Sequence, residues 1–170
     1  MAWTVNDMPD QTGRIAVITK KRISGAETIE AAGHVVAPGF IDTHNHWQRT
    51  MGYKIALRDG VTTSFDLEYG TLGSKVADWY AEREGKTQMN YGTASSHEGA
   101  RSAVLDQCPQ AYDAPTALDC RANFTGWSDT IPTLEQGNQI LQIIDQGLAD
   151  GAIGAAATLG AALVAVTVTV

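Results

Sequence analysis

Pro38-Gly39-Phe40-Ile41-Asp42-Thr43-His44-Asn45-His46 follows directly on Val35 and Val36, so a short apolar run leads into an Asp-x-His-x-His. Successive side chains of a β-strand point to opposite faces. Asp42, His44 and His46 are therefore expected on one face, with two imidazoles side by side where the strand ends. Neutral imidazoles so placed can share one divalent cation, and zinc, manganese and iron are all chemically admissible. A purely structural pair of histidines would instead need two unrelated hydrogen-bond partners. The strand context and the flanking Pro-Gly favour the ligand reading.

These residues resemble the amidohydrolase superfamily, whose members carry an apolar-PGxxDxHxH stretch at the end of the first strand of a metal-binding (β/α)8 barrel. The lead-in is similar too. Gly13-Arg14-Ile15-Ala16-Val17-Ile18 and Ile29-Glu30-Ala31-Ala32-Gly33-His34-Val35-Val36-Ala37-Pro38 look like the segment that forms a small β-sandwich beside the barrel in that superfamily. Gly60-Val61-Thr62-Thr63 resembles the opening of the second barrel strand. Gly147-Leu148-Ala149-Asp150-Gly151-Ala152-Ile153-Gly154 is similar to a helix-Gly-Ala-x-Gly segment of the N-acyl-D-amino-acid deacylases, the branch the chain resembles most.

The chain has 170 residues, whereas a complete (β/α)8 barrel needs about 250. The resemblance therefore implies an amino-terminal fragment in three parts. Residues 1–38 are a partial β-sandwich, 39–160 the first half of the barrel (about four βα units), and 161–170 an atypical apolar tail. The composition, 44% hydrophobic and 18% charged, is globular. A net charge of −7 argues against nucleic acid or an anionic membrane as a partner. Gly151–Val170 carries no charge, but alanine and glycine supply too little transfer energy for a membrane span. Cys108 and Cys120 are expected to be free thiols in a cytoplasmic protein, since Met1–Asp10 has no secretory character.

Alternating strand and helix signals predict a parallel sheet. Strands are expected at 40–42, 62–67, 89–96 and 152–158, with helices at 51–59, 74–84 and from 98 to about 105. Ser74 is a candidate cap for the second helix, and Val76, Trp79 and Tyr80 share its face. Thr133-Leu134-Glu135-Gln136 is a capping box opening the best-patterned helix, with Leu134, Ile140, Leu141, Ile144 and Leu148 at helical spacing and Gly151 at its end. The stretch 107–130 reads as loop with one helical turn.

Active sites of such barrels lie where strands end. Asp66 and Glu68 fall at the end of the second strand and His97 at the end of the third. His44 and His46 are thus candidate metal ligands, with zinc the expected ion, and the resemblance adds Glu68 as a ligand that bridges a second ion, at a point where the similar deacylases place a cysteine. His97 is the candidate substrate contact, and Asp66 a supporting partner for a histidine. Trp47 is a candidate pocket wall, and His34 a surface residue. The superfamily adds two histidines from later strands and an aspartate from the eighth strand. No histidine follows His97, and Asp145 and Asp150 belong to a helix, so this chain offers no catalytic base.

The resemblance implies metal-dependent hydrolysis of a non-peptide C–N amide bond in a small molecule, with an N-acyl-D-amino acid as first choice and this chain inactive alone. A second possibility is a non-catalytic product, or a half-barrel that needs a complementary chain and self-associates through open sheet edges. A third is cyclic amide hydrolysis of the dihydroorotase or hydantoinase kind. Those branches usually carry a lysine on the fourth strand, and 152–158 has none.

Overall fold

The computed structural model describes residues 33–46, 48–110, 120 and 122–157. The chain divides into two units, Met1–Pro38 and Gly39–Val170. Residues 1–32 of the expected β-sandwich segment, Trp47 and the tail 161–170 lie outside the described residues. His34 is exposed.

The second unit alternates strand and helix. β1 (Phe40–Asp42) leads to α1 (Thr50–Arg58), and β2 (Val61–Thr71) leads through a 3-10 turn (Gly73–Lys75) to α2 (Val76–Arg83). β3 (Asn90–Ser96) runs straight into α3 (His97–Leu105). A single-turn α4 (Gly126–Asp129) and the long α5 (Leu134–Ala149) precede β4 (Ala155–Ala156). The strands form one sheet in the order β1-β2-β3-β4, every pairing parallel. This is the expected α/β alternation with a four-stranded parallel sheet. No helix among the described residues is long and apolar enough to cross a membrane.

Register assigns the two faces. Ser64 pairs with Tyr91 and Phe65 with Gly92, so Ser64 and Tyr91 share one face and Phe65 the other. Tyr91 lies in a ring cluster with Tyr53 of α1 and Trp79 and Tyr80 of α2, at centroid separations of 5.8–6.4 Å. The helices therefore cover the Tyr91 face. On this side small residues admit α5. A Cβ on Gly147 would meet the Ser95 side chain and the backbone of Gly73, so only glycine lets α5 approach so closely. Beyond it, Ile140 and Ile144 of α5 bury against Ala100 of α3. The opposite face carries Phe65 and Ile153, which converge over Gly92, and Ile153 there is 52% exposed.

The capping box of α5 is complete: Gln136 N–H donates to Thr133 Oγ1 at 3.3 Å and Thr133 N–H to Gln136 Oε1 at 2.9 Å. Four expectations are corrected. Ser74 caps nothing, because the 3-10 turn comes first and its hydroxyl donates to Gln110 Oε1. Of the expected apolar positions of α5, Ile140 and Ile144 bury, together with Gly147, while Leu134, Leu141 and Leu148, spaced seven apart, form an exposed stripe. Among the described residues the fourth strand is Ala155–Ala156, which meets Ser95 and Ser96, while Ile153 N–H donates to the Thr93 carbonyl and Ser95 N–H to the Gly154 carbonyl just before it. Cys108 and Cys120 are joined in a disulfide rather than free, their Cα atoms 6.0 Å apart.

Candidate metal centre

β1 ends at Asp42, and the chain then turns along β2. Leu67 N–H donates to the Thr43 carbonyl and Asn45 N–H to the Phe65 carbonyl, so His44 forms an antiparallel bridge opposite Asp66. Asp42 holds this turn: Oδ1 accepts from His44 N–H at 3.1 Å and Oδ2 from Asn45 Nδ2 at 3.2 Å. The three residues Asp42, His44 and His46 thus do not continue as one strand face, as their alternation suggests. The aspartate builds the corner and the histidines extend beyond it.

Glu68 reaches the histidines because β2 is irregular. Between Asp66 and Thr71 the strand advances five positions while β3 advances two, from Thr93 to Ser95. The extra residues bulge outward. Gly70, at φ +72°, closes the bulge where a Cβ would strike the Ala94 carbonyl. Asp66 Oδ1 accepts from the amides of Tyr69 and Gly70 at 3.0 and 3.1 Å, which pins the bulge from below.

The result is a compact triangle of donors. His44 Nε2 lies 2.6 Å from Glu68 Oε2, His46 Nε2 lies 2.9 Å from the same oxygen, and the two nitrogens are 3.0 Å apart. The rings stand edge to face, 4.9 Å between centroids. Three lone-pair atoms this close repel unless a proton or a cation lies among them. A divalent ion about 2.1 Å from each donor spaces adjacent ligands at about 2.9–3.4 Å, depending on coordination number. The donor set, two imidazoles and a carboxylate, suits one divalent cation; the separations of 2.9 and 3.0 Å fall in this range, and that of 2.6 Å between His44 Nε2 and Glu68 Oε2 is a hydrogen-bond distance, shorter than two ligands on one ion. These are the only His, Cys, Asp or Glu side chains grouped in this way among the described residues.

A cleft of about 570 Å³ opens beside the triangle, with His46 and Asp66 on its rim and Tyr53, Trp79 and Arg83 in its wall. Burial raises the pKa of the Tyr53 phenol, and the nearby Arg83 guanidinium partly offsets this. Arg83 stacks 4.0 Å from the Trp79 ring centroid and donates to the Gln48 carbonyl at 2.9 and 3.2 Å. It so ties α2 to the segment that carries His46. The sequence does not single out Arg83 for this, since its link to that segment is to the Gln48 main-chain carbonyl.

His97 does not join the triangle. It opens α3 behind the Ser96 cap, half-buried, and among the described residues no hydrogen bond or ion pair links it to His44, His46 or Glu68. Loss of solvation lowers its pKa, and the neighbouring Arg101 charge lowers it further.

No family model matches the chain, and no solved structure matches it. Among curated proteins it is similar to D-hydantoinase of Geobacillus stearothermophilus, with 29% identity over 123 residues, covering 63% of this chain and 26% of that protein. The chain thus spans about a quarter of the length of the curated relative it matches.

Proposed function

We propose that this chain supplies the metal-binding portion of a metal-dependent hydrolase that opens a cyclic amide. The observation that carries the reading is the triangle formed by His44 and His46, just after β1, and Glu68, in the bulge of the adjacent parallel strand β2. The similarity to D-hydantoinase supports the substrate class, and does so better for a cyclic amide than for an N-acyl-D-amino acid. The missing lysine on the fourth strand is no obstacle to the metal reading, because Glu68 provides the anionic ligand that a second strand can offer. Zinc is the ion we assign. When bound, it supplies Lewis-acid activation of an amide carbonyl and of the attacking water. The protein's own part is to hold two neutral imidazoles and one carboxylate in reach of each other, beside a cleft whose rim is His46 and Asp66.

The first test is metal uptake. Calorimetry with zinc should show one ion per chain, and none in the His44→Ala, His46→Ala double variant. Equal uptake by the double variant overturns the assignment. The substrate class is read separately, without turnover, on the cobalt(II)-loaded chain. A 5-substituted hydantoin should perturb its visible absorption, and an N-acyl-D-amino acid should not. The reverse pattern would return the reading to a deacylase.

A further inference from the structure

We infer that the cleft beside the metal triangle is a binding site for a small carboxylate that also carries an N–H group, such as the ring-opened product of a cyclic amide. The ligand class rests on the reading proposed above, whereas Gln48, Arg49, Tyr53 and Lys86 of the cleft take no part in the metal centre. Its volume of about 570 Å³ suits a small organic acid. Three cationic side chains line it, Arg49, Arg83 and Lys86, against two carboxylates, Asp66 and Glu82. The chain as a whole carries a net charge of −7, so this excess of positive charge is local. Arg83 is committed, donating to the Gln48 and Trp79 carbonyls and to the Glu82 carboxylate. Arg49 and Lys86 are exposed, and neither forms an ion pair among the described residues. Both are open to an anion.

The buried part of the lining supplies a second recognition feature. Gln48 and Tyr53 are 5% and 4% exposed, yet Gln48 Oε1 and Tyr53 Oη have no hydrogen-bond partner among the described residues. Polar atoms buried in this way are uncommon, because leaving their hydrogen bonds unmade is costly. The Gln48 amide is fixed in orientation: its Nε2 donates to the Gly92 carbonyl at 3.2 Å, and only the amide nitrogen can donate there. Oε1 is therefore left as an acceptor that a ligand N–H can satisfy. The Tyr53 phenol stays protonated at neutral pH, since burial raises its pKa, and so can donate to a ligand oxygen. Hydrolysis of a cyclic amide makes a molecule with matching groups. Water adds across the C–N bond: the acyl carbon gains an oxygen and becomes a carboxylate, the nitrogen gains a hydrogen, and one proton is released. The open acid carries both the charge and the N–H, whereas the closed ring carries no carboxylate.

Calorimetry on the full, metal-free chain tests the cleft apart from the metal. N-Carbamoylglycine, a small acid with a ureido group, should bind. Its methyl ester, which lacks the charge, and acetate, which lacks the N–H, should each bind about tenfold more weakly or worse. Arg49→Gln combined with Lys86→Gln should weaken N-carbamoylglycine about tenfold, and added salt should weaken it in the wild type. The double variant should melt as the wild type does, because both side chains are exposed. No binding of N-carbamoylglycine overturns the inference without recourse to any variant. Ester or acetate binding as tightly as the acid, or unchanged binding in the double variant, overturns it as well. If the acid binds as expected but the chain takes up no zinc, the metal reading fails and the cleft stands. If zinc is taken up and the acid is not bound, the converse holds.

Discussion

Burial at the start of α3, reinforced by the Arg101 charge, holds the His97 pKa below its ordinary 6.5. The unfolded chain then binds more protons than the folded one once the pH drops below about 6.5. The contribution of His97 is intact above that value and is lost as pH falls toward the folded pKa. Melting temperatures of wild type and His97→Gln should therefore diverge from each other between about pH 7 and pH 5, with the wild type losing more on acidification. Parallel curves would show that His97 titrates normally. At this scale the sequence was informative where the chain itself sets the spacing. His44 and His46 sit two residues apart on one short turn and could hardly separate. Glu68 joined them across a strand pairing, and His97, the first residue of α3, did not.

The element whose start the sequence specifies best is α5. The Thr133 hydroxyl and the Gln136 side chain satisfy each other's backbone amides, a local arrangement that needs no tertiary partner. Thr133→Ala should lower stability by about 1 kcal/mol, read as a shift in the urea midpoint without a change in slope. No shift would mean that packing alone sets where the helix begins. The buried face of α5 was not legible in the same way. Leucine and isoleucine at helical spacing supply two candidate stripes, and the sheet selected the one containing Gly147, because only there can the helix back onto Ser95 and Gly73. Likewise the bulge in β2 has no plain signal beyond Gly70, and that bulge is what aims Glu68.

Over the whole molecule, a parallel sheet is normally covered on both faces. Here the face opposite the helices presents Ile41, Leu67 and Ile153 at 64%, 37% and 52% exposure, and β1 and β4 each pair on one side only among the described residues. Unpaired strand edges next to exposed apolar side chains favour association. Sedimentation velocity should show self-association that grows with concentration and weakens in Ile41→Lys, which sets a charge on the β1 edge. A monomer at every concentration would remove this expectation.

What the sequence determined by itself is whatever depends on neighbours along the chain. The βα alternation, the histidine pair and the capping box follow from residue spacing and local hydrogen bonding. What only the tertiary structure decided depends on groups distant in sequence. The joining of Cys108 to Cys120, the choice of stripe on α5 and the arrival of Glu68 and Asp66 on opposite sides of His46 are of this kind. The last two are set by which strands lie side by side and by how closely small residues let them be backed. Such distances are fixed by packing of the sheet against its helices, and no periodicity in the chain encodes them.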